Sequence, residues 1–431
     1  MVQTEHRQAD KPVIGVLYGF RALMVLFVCN FHFWQQGWLG QYVTVFGRTV
    51  DFDYWTRSSY VFVDGMMLLS AWLLYLPYAR QAAYGTPVPS VGRFYFSRAT
   101  RILPSYFASV FILLFCVALP NGQYRDAAAR NMDVLTHLTF TFTFWKETYL
   151  YTPLNVVLWT VAIEMQFYLV FPFLARAARR TPWITLLLMG ATGVLFRAVL
   201  TRQVSDLSLL LNQMPAFLDV YALGMLGAIA YVTLKKRLDA SPSVKLRRGT
   251  ATIATGVFIA GCFALSAILR EQTNQGLISH DSLRLSQWAL RLPLATVLLG
   301  LMLSAAFLPR VLQKLLDNRL MRFLSTISFN LYIWHQILSV LLARNLFPAT
   351  LHDDLPLQQA FTLLCYTLSI AVAMAATYGL EQPAARVLER FYRKHFQKKE
   401  SIRYEGSTGT ETLPPADPLL VRDAQGGAGV D

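Results

Sequence analysis

Ten apolar stretches of membrane-spanning length constrain this chain more than any other feature of its sequence. A helix of about 20 apolar residues crosses a bilayer, because a helix satisfies its own backbone polar groups. With 55% hydrophobic residues, the chain is too apolar for an ordinary soluble protein. The sequence therefore predicts an all-α, polytopic integral membrane protein with about ten transmembrane helices. The stretches cover roughly residues 14–34, 58–78, 102–120, 154–175, 181–200, 214–234, 250–269, 287–308, 323–344 and 359–380.

The distribution of positive charge predicts how the chain is oriented. We place the N-terminus in the cytoplasm and let the segments between apolar stretches alternate between the two sides of the membrane. The cytoplasmic segments then hold 25 Lys and Arg residues, and the external segments hold 8. This asymmetry follows the positive-inside rule, which predicts that both termini lie in the cytoplasm. The net charge of +14 is therefore explained mainly by the orientation of the chain in the membrane. It indicates no nucleic-acid partner; the partner that the sequence requires is a lipid bilayer.

One membrane domain accounts for most of the chain. We assign residues 1–12 to a cytoplasmic N-terminus, 13–395 to the membrane domain and 396–431 to a disordered cytoplasmic tail. The tail is rich in Gly, Pro, Ser, Thr and acidic residues and has few large apolar ones, which is typical of disorder. The longest external loop, 121–153, contains an aromatic and Thr-rich stretch, 135–150, that we interpret as an interfacial or re-entrant segment.

Arg21 and His32 are ionisable residues inside the first apolar stretch. At about 100° per residue, their spacing places both side chains on one helix face, offset by about 16 Å along the axis. An arginine inside a span costs roughly 2.5–3.5 kcal/mol on insertion scales, which indicates a functional use. The alternative is that His32 reaches the membrane interface and Arg21 binds a lipid phosphate.

Arg98 and Arg101 lie just before the third apolar stretch, on its predicted cytoplasmic side. Their spacing places both on one side of a helix, and guanidinium groups bind phosphate oxygens bidentately. The pair therefore fits a cytoplasmic anion that carries several phosphates. An ordinary positively charged flank of a transmembrane helix is the alternative interpretation.

Further polar side chains fall inside apolar stretches, where each needs a partner. Glu164 lies near the middle of its stretch, and an ionised carboxylate there requires a cation or a hydrogen-bond donor. Structural polar contacts between helices are the alternative interpretation. The four cysteines lack metal-ligand spacing, and no metal is predicted. The possible supporting pore residues are Asp64, Ser70, Trp159 and, on one face of a late helix, Ser328, Tyr332 and His335.

Two classes of membrane protein fit these residues. A base at mid-to-outer depth and arginines at the inner mouth suit an enzyme whose acyl donor has an anionic cytoplasmic head. A histidine would then act as general base on an acceptor hydroxyl, with a carboxylate supporting it. The alternative is an exporter or transporter of a polysaccharide or lipid-linked intermediate, in which the charges line a substrate path. The sequence lacks paired half-helices broken by Gly or Pro, which counts against a transporter.

Six motifs occur in order along residues 14–383: Arg21-x10-His32, VDGMMLLSAWLL at 63–74, Arg98-x-x-Arg101, WTVAIEMQFYL at 159–169, ISFNLYIWH at 327–335 and Glu381-x-Pro383. Together they resemble the motifs of acyltransferase family 3. The members of this family are integral membrane O-acyltransferases that modify bacterial surface polysaccharides and related acceptors.

The resemblance implies a cytoplasmic acyl-CoA as co-substrate, with acetyl-CoA the expected form, and a location in the inner (plasma) membrane. It implies that His32 is the catalytic base, that Glu164 is the motif glutamate of the catalytic site, and that Arg21, Arg98 and Arg101 bind the CoA donor. The acceptor would be a surface carbohydrate or glycoside; polysaccharide, lipid-linked sugar, peptidoglycan and small glycosides all fit. Acyl length and oligomeric state stay open.

Overall fold

The all-α membrane architecture that the sequence predicts is confirmed. The computed structural model describes residues 14–203, 207 and 209–397. Within this part of the chain, ten helical segments are long and apolar enough to cross a membrane, and each overlaps one of the ten apolar stretches. The predictions for residues 1–12 and for the tail from 398 onward lie outside the described residues, and the cytoplasmic placement of the termini stays a prediction.

Helices connected by short segments build the fold. In the described residues, a two-stranded antiparallel hairpin, β1 (Tyr42–Val45) and β2 (Arg48–Asp51), interrupts the helical pattern after the first helix. The α-helices of the described residues are α1 Val16–Gly37, α2 Asp53–Arg57, α3 Phe62–Tyr84, α4 Val91–Leu113, α5 Ala127–Leu138, α6 Lys146–Tyr149, α7 Trp159–Arg180, α8 Pro182–Gln203, α9 Leu218–Ala240, α10 Val244–Ile278, α11 His280–Ala305, α12 Arg310–Leu316, α13 Arg319–Leu346, α14 Leu355–Ala376 and α15 Gln382–Tyr392.

Short helical turns extend several of these helices. The π-helical turn Leu114–Ala118 continues α4, and another, Thr377–Glu381, joins α14 to α15. At its other end α4 begins after Ser90, whose hydroxyl accepts a hydrogen bond from the Arg93 backbone N–H at 3.2 Å. This N-cap satisfies a backbone donor that the first helical turn leaves unpaired, so the basic start of α4 is regular helix.

Helix α1 lies at the centre of the packing. It contacts α3, α13 and α14, and its buried residues Leu17, Val28 and Phe33 belong to the main apolar core. Helices α3 and α9 approach each other closely at Gly224, where a Cβ atom would overlap the carbonyl oxygen of Leu68. Small residues at such contacts are typical of membrane helix packing, because they let two backbones approach.

Peripheral helices present apolar side chains outward. Helix α10 buries only Ala254, Leu265, Leu269 and Gln272 over its whole length, while Phe263 on the same helix is exposed. An apolar outer surface of this kind is stable against hydrocarbon and unfavourable against water. The surface therefore agrees with a multi-pass membrane protein.

The loop between α4 and α7 is folded and packs on the bundle. Its stretch 135–150 is not one continuous segment: α5 ends in it at Leu138, and a 3-10 turn, Phe142–Phe144, and the short α6 follow. Tyr106 donates a hydrogen bond to the carbonyl of His137 at 2.8 Å. The stretch is thus divided into short helices and turns, and this hydrogen bond joins it to α4. We call the end of the bundle that carries this loop and the β-hairpin the hairpin end.

Candidate functional site

A cavity of about 110 Å³ lies towards the hairpin end of the bundle. Four of the residues singled out from the sequence line it: His32 of α1, Asp64 of α3, Trp159 of α7 and Tyr332 of α13. These residues are far apart in the sequence, and the packing of α1 against α3 and α13 brings them together. The cavity combines a titratable base, a carboxylate and two aromatic rings with polar tips.

His32 and His335 form a hydrogen-bonded pair between α1 and α13. His32 Nδ1 lies 2.9 Å from His335 Nε2 and 3.0 Å from the carbonyl oxygen of Val28. His335 Nδ1 lies 2.7 Å from the carbonyl oxygen of Tyr332, and the His335 side chain is fully buried. Because a carbonyl oxygen only accepts, the Nδ1 atom of each ring carries the hydrogen. His335 Nε2 then accepts from His32 Nδ1–H.

These contacts fix the neutral tautomer of His32. With its hydrogen on Nδ1, the ring carries its free lone pair on Nε2. Among the described residues no side chain or backbone group donates to this nitrogen, and His32 lines the cavity. The Nε2 atom is therefore available to take a proton from a molecule bound there.

Asp64 is held in a buried ion pair on the cavity wall. Its Oδ2 lies 3.1 Å from Nε of Arg291 on α11, and Arg291 also donates to the carbonyl of Leu211 at 2.7 Å. A buried carboxylate needs such a partner, since an isolated charge is costly away from water. The structure thus gives Asp64 the task of joining α3 to α11 at the cavity.

The three predicted arginines lie on the side of the cavity away from the hairpin end. Arg21 lies within electrostatic range of Arg98, Arg101 and Glu164. Three cations that approach each other repel, and the Glu164 carboxylate offsets part of this repulsion. The four side chains together keep a surplus of positive charge, which suits them to bind an anion.

Glu164 is thus a member of the arginine group and not of the histidine pair. The orienting contacts of His32 come from Val28 and His335. The hydroxyl of Ser70 lies 3.4 Å from that of Tyr168, which is itself within electrostatic range of Glu164. The candidates therefore form two sets: a base in the cavity, and the arginine group (Arg21, Arg98 and Arg101 with Glu164) further from the hairpin end.

The remaining predicted residue, Ser328, lies outside the cavity lining. Its hydroxyl donates to the carbonyl of Ser325 in the same helix at 2.7 Å, so Ser328 is satisfied locally. The ion-pair partner Arg291 and a second buried pair, Arg197 with Asp219, were not predicted from the sequence. All three residues lie in predicted spans, and an ionisable residue in a span is itself the signal that would have found them.

The comparisons with known proteins give one match. A family model described as an acyltransferase domain matches residues 16–378 of the chain. No curated protein and no solved structure matches it. The matched range includes His32, the three arginines, Glu164 and His335, so both sets of site residues lie within the domain.

Proposed function

Because the chain belongs to acyltransferase family 3 and is therefore an acyl-transferring enzyme in a membrane, we propose that it is an O-acyltransferase. It transfers an acyl group, with acetyl the expected one, from cytoplasmic acyl-CoA to a hydroxyl of a surface carbohydrate or glycoside. Family membership favours acyl transfer over the exporter that the sequence left open. We place the enzyme in the inner (plasma) membrane.

The observation that carries the proposal is that His32 lines the cavity while its Nδ1 contacts Val28 and His335, which leaves Nε2 as the nitrogen that can act as a base. In the proposed reaction, Nε2 takes the proton of the acceptor hydroxyl while the hydroxyl oxygen attacks the thioester carbonyl. The carbon–sulfur bond then breaks, and the CoA thiolate takes the proton from Nε2. The ring returns to its starting tautomer, and the products are the ester and free CoA.

The contacts on the other side of the imidazole support this role. When Nε2 is protonated, Nδ1–H still donates to the carbonyl of Val28 and to His335 Nε2, so neither contact is lost during the reaction. A carbonyl dipole and a neutral ring nitrogen both stabilise the cationic form. The base therefore keeps one orientation in both protonation states, which is what a general base requires.

The arginine group fits the phosphates of the acyl-CoA donor. Phosphates of CoA would bind Arg98 and Arg101 by charge-assisted hydrogen bonds, with Arg21 further along the path to the cavity. Arg21 and His32 are about 16 Å apart along α1, a span that the long pantetheine arm would cover. The thioester would then reach His32 while the nucleotide stays at the arginines.

The direct test is transfer of label. Membranes that contain the chain are given acyl-CoA labelled in the acetyl group, and base-labile label in surface carbohydrate is measured. We expect label to appear with the wild-type chain and to be absent when the chain is absent. If carbohydrate is exported but never labelled, the proposed transferase is wrong and an exporter is favoured.

The donor site gives a second prediction. Replacing Arg98 or Arg101 by alanine should raise the KM for acyl-CoA by about 10- to 100-fold, since a hydrogen bond to a charged group contributes about 1.5–3 kcal/mol. The KM for the acceptor should change little. Arg93→Gln is the matched control on the same helix, because Arg93 is already paired with Glu389 at 2.7 Å. Steady-state kinetics of the purified variants checks this; an unchanged donor KM rejects the phosphate contacts.

A further inference from the structure

Arg284 is a half-buried cation on the cavity wall whose charge has no acidic partner among the described residues. It lies one turn into α11 and lines the cavity together with His32. Its NH1 donates to the side-chain oxygen of Gln287 at 3.0 Å. Its Nε is buried and has no hydrogen-bond partner among the described residues. A guanidinium in this position still has donors to offer to a ligand.

The other charges of the cavity do not neutralise Arg284. Asp64 is engaged by Arg291, so this pair contributes no net charge. Tyr149 lies within electrostatic range of Arg284, but burial raises the pKa of Tyr149 to about 12, so its hydroxyl stays neutral. With His32 in its neutral form, the charged side chains of the cavity wall carry one excess positive charge, and this surplus attracts a bound anion.

The surroundings of Arg284 are built for a polar ligand. The Tyr60 hydroxyl donates to the buried side-chain oxygen of Gln272 at 2.9 Å, and the Gln272 amide donates to Ser286 at 2.7 Å. These bonds hold Gln272 in one orientation beside the cavity that it lines. Fixed amides and the aromatic ring of Trp159 are groups that recognise a hydroxylated ring, because they offer both hydrogen bonds and a flat apolar face.

We propose that the acceptor carries an anionic group, a carboxylate or a phosphate, which pairs with Arg284 while a hydroxyl of the same or the adjoining sugar lies at His32. This inference rests on the proposed function, because it names the substrate class for the same cavity. The acceptor is thus an acidic glycan unit, and Arg284 selects it over a neutral one through a charge-assisted, bidentate contact.

Mass spectrometry of the acylated glycan tests the substrate class. Surface glycan is compared between cells with the wild-type chain and cells with His32→Ala, and the acyl group that disappears is located. We expect it on an acidic unit or on its neighbour, and the fragment masses tell carboxylate from phosphate. Acyl groups confined to a neutral repeat overturn the inference but leave the proposed function intact. If no acyl group depends on His32, the proposed function itself fails.

Kinetics tests the role of Arg284 with the same glycan as acceptor. Arg284→Gln should raise the acceptor KM by about 10- to 100-fold, as for the loss of a charged hydrogen bond, and leave the KM for acyl-CoA unchanged. Arg284→Lys should restore part of the affinity, because the charge remains and the bidentate contact does not. Arg270→Gln, an exposed arginine on the neighbouring α10, is the matched control. An unchanged acceptor KM in Arg284→Gln, with the donor KM showing an intact enzyme, overturns the inference.

Discussion

Replacing His32 by alanine should lower the kcat of acyl transfer by about 10²- to 10⁴-fold, the usual contribution of a general base. The reason is that His32 lines the cavity and its Nε2 keeps a free lone pair, while the nitrogens of His335 are both engaged. The KM for acyl-CoA should stay close to the wild-type value, because the proposed phosphate contacts Arg98 and Arg101 lie on α4 and Arg21 lies about 16 Å from His32 along α1. Rates of transfer from labelled acyl-CoA to the acceptor measure both constants.

His352, at the same end of the bundle, provides the control for His32→Ala. His352 is exposed, and its Nε2 bonds to the carbonyl of Gln36 at 3.0 Å. His352→Ala should transfer acyl groups at nearly the wild-type rate, which separates loss of the base from general damage at the hairpin end. A His32→Ala enzyme that keeps the wild-type kcat would show that another group takes the proton, and the catalytic assignment would be wrong.

The number and positions of the helices could be predicted from the sequence because they depend on local hydrophobicity. Each apolar stretch of membrane-spanning length became a helix, since no other structure satisfies a single backbone segment in hydrocarbon. The placement of His32 and Arg21 on one helix follows from the same local rule. The short hairpin after α1 lacks such a signal, because its strands hold only four residues each.

The pairings inside the bundle could not be predicted in this way. His32 meets a histidine 303 positions away, and Asp64 meets an arginine 227 positions away. Packing at contacts such as Gly224 against Leu68 decides which helices become neighbours. Local patterns in a single sequence do not reveal these contacts. For the same reason, the sequence alone does not show that Glu164 lies within electrostatic range of Arg21, and its catalytic role stays a prediction.

Removing the Asp219 carboxylate should lower the free energy of unfolding by about 3–5 kcal/mol, because it leaves Arg197 as an uncompensated buried charge. The two side chains, on α8 and α9, form a two-pronged pair with N–O distances of 2.8 and 2.6 Å. Their exposed fractions are only 3% and 1%, so water cannot replace the lost partner. Asp219→Ala would be compared with the wild-type chain by denaturant unfolding in detergent.

The exposed pair Lys235–Asp239 on α9 provides a matched control. Its side chains are 48% and 57% exposed, and such pairs contribute about 0–1 kcal/mol, so Asp239→Ala should unfold almost like the wild type. The double variant Arg197→Met with Asp219→Leu should regain most of the stability that Asp219→Ala loses, because a buried ion pair replaced by apolar side chains is often neutral. If Asp219→Ala is as stable as Asp239→Ala, the buried pair does not hold α8 to α9. Recovery in the double variant, in contrast, would assign the loss to the unpaired arginine charge.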